Sequence, residues 1–310
     1  MEIREAVKSD IPNILQVLKA SLGESSSKKT EQVWRYKHID NPFGTSLVLI
    51  ALENSQVIGV RAFMRWNWQQ GEKVYSAFRA VDTATHPSHQ GKGIFKKLTL
   101  RALEIGKERG YNFVFNTPNT QSKPGYIKMG WCEVDKLKIH LRPLIFFNLG
   151  KKNNECSVCG KSKDTEKVLE LFFEKQKMSK QFFTPKNSDF LFWRYINNPL
   201  QNYSVIFDKD FFIAGYLKRR KRFNEFRITE VIILDKGKER AKSKILEMAN
   251  TSGASILSIS PNNPINFKTG LTKSFGPTLT MKDISLNQEE IQILLDLSKW
   301  SYSLGDLELF

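Results

Sequence analysis

The stretch WRYKHIDNP, Trp34 to Pro42, recurs as WRYINNP from Trp193 to Pro199. In both copies a helix-like segment comes before it and an apolar, strand-like run follows, SLVLIAL in the first case and YSVIF in the second. Such a match at corresponding places in the two halves of a 310-residue chain marks an internal duplication. The chain therefore has to fold as two related units, joined near the polar, Lys-rich segment LGKKNNECSVCGKSKD. We expect a first domain over residues 1–148, a linker over 149–164 and a second domain over 165–310.

Hydrophobic periodicity predicts the elements of each unit. MEIREAV alternates as a strand, Asp10 stands at a helix N-cap and Pro12 in the tolerant first turn, so a helix runs to about Leu22. The Trp34 segment is a second helix. Strands follow at Leu47 to Leu52, Gln56 to Trp68 and Val74 to Thr85, as an antiparallel meander. Ile94, Leu98, Ala102 and Ile105 share one face of a helix running from about Gly91 to Arg109 and stopped by Gly110. YNFVFNT is a short buried strand, SKPGYIKMG a short helix or turn, and the run from Trp131 to Leu141 is expected to close the sheet. The order βααβββαβαββ is that of an α/β chain with a mixed, α+β type of sheet. The second unit is expected to repeat it, with TEKVLELFFEKQKM and KERAKSKILEMANTSG as helices.

The segment HPSHQGKGIFKKL, His86 to Leu98, sets glycines and lysines at a helix start directly after a strand. Such a start leaves several N–H groups unpaired and pointing at one place, where the helix dipole also favours negative charge. It reads as a phosphate cradle with Lys92, Lys96 and Lys97 adding charge; on these residues alone, a solvated helix cap remains the alternative. Neither GxxxxGK[ST] nor a GxGxxG opening is present. The stretch resembles motif A of the GCN5-related N-acetyltransferase (GNAT) family, QxxGxG/A, as Gln90, Gly91, Lys92, Gly93, Ile94 and Phe95, with Phe95 in place of the final Gly or Ala. FNTPNTQSKPGYIKMGW resembles motif B, with Asn116, Tyr126, Gly130 and Trp131 at its marked positions. The motifs cover residues 1 to 142; over 165 to 310 the likeness rests on topology and the repeat.

The resemblance implies two tandem GNAT-like units, the second degenerate, since LDKGKERAKSK (Leu234 to Lys244) has no counterpart of the Gln90 loop. It implies acetyl-CoA, or another acyl-CoA, as co-substrate and no metal, with the pyrophosphate on Gln90 to Phe95, the pantetheine arm on the backbone of Ala84 and Thr85, and Asn116 beside them. Tyr126 takes the place of the family's general acid, and Asp82 lies on the strand facing the acyl group as a candidate base, with other acids available or with Asp82 holding Arg79 instead. The acceptor implied is a small amine. The tail WSYSLGDLELF is aromatic enough to dock, and resembles tails of bacterial members linked to surface-sugar biosynthesis, which points to an amino sugar. Trp34, Trp66 and Trp68 would then line the cleft or pack in the core.

Composition bounds the alternatives. With 40% hydrophobic and 26% charged residues the chain is globular. It has no run of about 18 apolar residues, and MEIREAVKSD lacks the apolar core of a signal peptide, so we expect a cytoplasmic protein. Three cysteines do not make a disulfide scaffold, and CSVC (Cys156 to Cys159) offers only half a zinc site, while His86 and His89 straddle Pro87. The +16 charge suits nucleic acid, an anionic surface or a phosphorylated ligand alike. With the basic run LKRRKR on the second unit it supports another reading, a Fem-type transferase drawing on aminoacyl-tRNA, and a third makes the chain a non-catalytic acyl-CoA sensor whose degenerate second unit binds a partner.

Overall fold

The computed structural model describes residues 1–23, 28–144, 163–234 and 236–307. The first half runs β1 (Glu2–Glu5), α1 (Ile11–Leu22), α2 (Glu31–His38), β2 (Leu47–Glu53), β3 (Gln56–Gln70), β4 (Lys73–Thr85), α3 (Ile94–Glu108), β5 (Phe113–Asn116), α4 (Lys123–Lys128), β6 (Cys132–Lys136) and β7 (Ile139–Pro143). This is the element order the periodicity predicts. In the second half come α5 (Lys163–Lys177), α6 (Ser188–Leu191) continued by a π-helical turn (Phe192–Ile196), β8 (Ser204–Asp208), β9 (Phe211–Arg219) and β10 (Asn224–Ile233). They are followed by α7 (Lys238–Thr251), β11 (Ile256–Ile259), β12 (Leu271–Lys273), β13 (Thr278–Asp283), α8 (Gln288–Leu294) and α9 (Leu304–Leu307). Among the described residues the second half has no counterpart of β1 or α4, so it repeats the order only in part.

The sheets do not follow the halves. The first has the order β1-β2-β3-β4-β5-β13-β6 and the second β12-β7-β11-β10-β9-β8. Each half therefore gives one strand to the other's sheet. The run Trp131 to Leu141, expected to close the first sheet, breaks at Leu137: β6 stays on the first sheet and β7 crosses to pair with β11 and β12. The slot left between β5 and β6 is filled by β13, whose Thr280 and Met281 face Asn116 and Phe115 on one side and Glu133 and Cys132 on the other. The physical reason lies in β5, four residues that are all buried and need hydrogen-bonding partners along both edges.

The halves also share a core. Trp66 packs edge-on to Phe190 and Trp193, and Trp68 edge-on to Trp300 with ring centroids 4.7 Å apart. Such pairs add about 0.5–1.5 kcal/mol each beyond the area they bury. The duplicated motif sits at this seam: Tyr36 of the first copy stacks on Trp193 of the second at 5.0 Å, and the Trp193 indole N–H donates to the Tyr36 carbonyl at 2.8 Å. Its Asn-Pro ending is explained by the turn that follows, because the Oδ1 of Asn41 accepts from the Phe43 amide and that of Asn198 from the Leu200 amide, both at 2.9 Å. The tail docks as expected. Trp300 is fully buried, and the Tyr302 hydroxyl accepts from the Lys138 amide and donates to the Lys138 carbonyl.

Candidate acyl-transfer cleft

Strands β4 and β5 run parallel for only three residue pairs, Ala77 with Phe113, Phe78 with Val114 and Arg79 with Phe115. Beyond Arg79 they part. On its other side β4 stays paired with β3, but the register slips between Arg61 and Ala62, leaving Asp82 as a bulge residue with φ of 38°. The backbone of Ala80 to Thr85 consequently faces an open wedge. A cleft of about 1790 Å³ occupies it, lined by this strand, by Gln90, Gly91 and Gly93 to Lys96, by Asn116, and by Tyr126.

The loop at the head of α3 has the geometry of an anion cradle. Gly91 and Gly93 adopt φ of 79° and 72°, the left-handed region that side chains with a Cβ rarely enter, and around both lies open space. Among the described residues no acceptor takes the amides of Gly91 to Lys96; the first helical bond of α3 runs from Lys97 to the Gly93 carbonyl at 3.1 Å. Gln90 reaches back towards the Thr85 carbonyl at 3.5 Å, tying loop to strand. Lys96 lines the cleft. Lys92 does not: its ammonium lies 3.6 Å from Glu53, which also bonds His89, on the outer side of the loop. Phe95, where the motif has Gly or Ala, turns edge-on to Tyr126 with centroids 5.5 Å apart. Room for its ring exists because position 125 is glycine, where a Cβ would lie 3.2 Å from Phe95 Cε1.

Tyr126 is 5% exposed, packs on Trp131 and lines the cleft. The phenol oxygen accepts from Nη1 of Arg61 at 2.7 Å. Asn116 ends β5 as expected, and its Oδ1 accepts from the Thr280 hydroxyl of the exchanged strand β13 at 2.6 Å. Asp82 is gripped by Lys37 and by Nε2 of His38, the latter at 3.0 Å. Burial pushes its carboxyl up, but the Lys37 charge and the His38 hydrogen bond outweigh that and hold it far below the usual carboxylate range. A carboxylate so stabilised takes up a proton poorly, which argues against a base role for Asp82. It does not hold Arg79 either; that guanidinium donates to the Asp306 carbonyl at 3.0 Å.

A family model for the acetyltransferase (GNAT) domain matches residues 2–134. Residues 2–134 of the 310-residue chain thus carry a GNAT acetyltransferase domain. Acyl transfer from acyl-CoA to an amine is the reaction of such a domain. Solved structures extend the likeness of fold across both halves. A GCN5-related N-acetyltransferase from Anabaena variabilis is 13% identical over 92% of this chain and 73% of its own, with a TM-score of 0.64. A conserved protein of unknown function from Enterococcus faecalis, described as a probable N-acyltransferase, is 9% identical over 91% and 72%, with a TM-score of 0.65. Eis1 from Mycobacterium abscessus is 11% identical over 94% and 75%, with a TM-score of 0.58. No curated protein matches the sequence.

The far wall of the cleft comes from the second half: Arg194, Asn198, Gln201, Tyr203, Tyr216 and Lys218 line it. Here the basic run LKRRKR is divided. Strand β9 is internal to its sheet rather than an edge; Lys218 and Arg219 face the cleft, while Arg220 pairs with Glu225 at 2.7 Å. Among the described residues the head of α7, the counterpart of α3, is not open. At the start of α7 an added Cβ on Gly237 would lie 2.9 Å from the Asp210 carbonyl, and Arg240 bonds the Asp210 carboxylate at 2.8 Å. Trp34, Trp66 and Trp68 are buried and none lines the cleft. Cys156 and Cys159 lie outside the described residues, among which no group of three or more potential metal ligands occurs and no helix is long and apolar enough to cross a membrane.

Arg61, Thr280, Lys37 and His38 escaped the motif comparison. Three of them had left a signal. On matching the repeats through IDNP and INNP, Lys37 and His38 are the two residues present only in the first copy. Arg61 is a single cation inside the apolar run VIGVRAFM, whereas nothing in the sequence ties Thr280 to Asn116 across 164 positions.

Proposed function

We propose that the first unit binds acetyl-CoA or another acyl-CoA and transfers the acyl group to a small amine held against the second unit, which has lost cofactor binding. The observation that carries this is the set of unclaimed amides from Gly91 to Lys96, in a loop that lines the same cleft as Tyr126. Those amides and the dipole of α3 would hold the diphosphate, and the open edge of Ala80 to Thr85 the pantetheine arm. The amine nitrogen attacks the thioester carbonyl carbon and the C–S bond breaks. Tyr126 gives its proton to the departing sulfur, and its phenolate is reprotonated, by way of water, with the proton the amine has lost. Asp82 fixes Lys37 and the β4 bulge rather than moving this proton. An amino sugar is the acceptor we favour, since the polar residues Gln201, Tyr203 and Tyr216 line the acceptor wall.

Two variants test the reading. Gly93→Glu puts a Cβ and a negative charge into the cradle and should abolish acetyl-CoA binding by calorimetry; undiminished binding by the folded variant overturns the loop assignment. Tyr126→Phe should lower kcat about 100-fold with acetyl-CoA affinity intact, followed as thiol release across a panel of amino sugars, polyamines and amino acids. Equal turnover would remove Tyr126 from the mechanism.

A further inference from the structure

Arg61 is fully buried on β3, in an apolar pocket. Its guanidinium carbon lies 4.6 Å from the Phe63 ring centroid, 5.2 Å from that of Tyr126 and 5.5 Å from that of Phe95. Among the described residues it has no carboxylate partner. Nη1 alone is satisfied, donating to the Tyr126 phenol oxygen at 2.7 Å and to the Thr83 hydroxyl, while Nε and Nη2 are buried with no partner. Burying a cation without a counter-charge is expensive, and an aliphatic side chain of similar length would pack this pocket at lower cost. The aromatic faces offset part of the penalty. The remainder is recovered only when an oxygen that Arg61 touches becomes negative, and of the two it bonds the Tyr126 phenol is the more acidic.

We propose that Arg61 is the positioning residue of the transfer reaction, acting through Tyr126. The inference rests on Tyr126 being the acid that protonates the leaving sulfur. Because the phenol oxygen accepts from Arg61, its own hydrogen remains available to a thiolate departing in the cleft that Tyr126 lines. Once that hydrogen has gone to sulfur, the phenolate stands 2.7 Å from a cation in a site screened from water by Phe63 and Phe95. The interaction is therefore stronger after proton transfer than before it, which is what lowers a barrier. Thr83 sets the angle: its hydroxyl accepts from the same Nη1 and donates to the Val81 carbonyl at 3.3 Å, across the bulge that carries Asp82.

The test compares Arg61→Met, Arg61→Lys, Tyr126→Phe and the double variant Arg61→Met/Tyr126→Phe in the full chain. Thiol release from acetyl-CoA is followed with glucosamine and, in parallel, with water as the only acceptor. Arg61→Met should lose about 10- to 100-fold in kcat with its KM for acetyl-CoA within about twofold, and Arg61→Lys should recover part of the loss. In the Tyr126→Phe background the same change should cost less than about twofold, since nothing remains for the guanidinium to stabilise. NMR of tyrosines labelled at Cζ gives a readout that needs no turnover. The Tyr126 signal, assigned by its absence from Tyr126→Phe, should move in Arg61→Met and return part of the way in Arg61→Lys. An unmoved signal, or an undiminished loss of kcat in the Tyr126→Phe background, overturns the proposal. If Tyr126→Phe alone keeps full turnover, the acid reading fails instead, and the NMR signal still reports whether Arg61 holds the phenol.

Discussion

At the scale of single residues, stability and chemistry pull apart around Tyr126. The unpaired donors of Arg61 are a cost to the folded state, so Arg61→Met should leave the protein as stable as before or raise its unfolding free energy by about 1–3 kcal/mol while activity falls. Urea melts of the two proteins decide this. His38 gives a pH effect of definite sign. Burial holds its imidazole below the ordinary histidine value, against the opposing pull of Asp82, so the native state binds fewer protons than the unfolded chain as pH drops past about 6.5. Stability should fall below that pH by up to about 1.4 kcal/mol per unit. The depressed Asp82 carboxyl adds nothing to this window, because its contribution is lost only below about pH 4. Glu230, pushed up by burial, acts in the opposite sense, being favoured protonated. Comparing wild type with His38→Gln at pH 7.5, 6.5 and 5.5 isolates the histidine: the variant should show the shallower acid loss.

Among the elements, β13 has the largest consequence for the site. It lies between β5 and β6 and bonds Asn116 through Thr280, so a strand from the far end of the chain fixes the residue that ends β5 at the cleft. Thr280→Val keeps the shape and removes the hydroxyl. It should cost about 1 kcal/mol in stability and weaken acetyl-CoA binding several-fold, measurable by thermal melting and calorimetry on the same sample. The helix head at α3 behaves differently. Its cradle is made from consecutive residues in a strand–loop–helix order, so Gln90 to Phe95 could be placed from the sequence alone, apart from the outward turn of Lys92, which follows from a carboxylate at Glu53 on a distant hairpin.

For the whole molecule, the strand exchange makes the halves interdependent. A fragment of residues 1–148 has the full first motif set but lacks β13, leaving β5 with one bare edge and β7 with no sheet to join. It should aggregate or melt without cooperativity by circular dichroism, although the domain model covers residues 2–134. Joining residues 276–285 to its end should restore a cooperative transition. The cleft also belongs to both halves: Gln90 and Tyr126 stand on one side, Arg194 and Tyr216 on the other. The basic run on the second half is consequently split between an ion pair with Glu225 and the acceptor wall, rather than presented as one continuous face.

What the sequence determined by itself was local or periodic: the duplication, the element order of the first half, the glycine-bearing helix head and the position of Tyr126, each written in neighbouring residues or in a spacing set by helix and strand geometry. Only the tertiary structure decided which sheet each closing strand joins, what holds Asn116, and which groups hold Asp82 below the usual carboxylate range. Those outcomes depend on partners more than 40 positions away, such as Lys37 for Asp82 and Thr280 for Asn116. Burial and charge act through space, and a chain read in order carries no record of which distant groups the fold brings within 3 Å of each other.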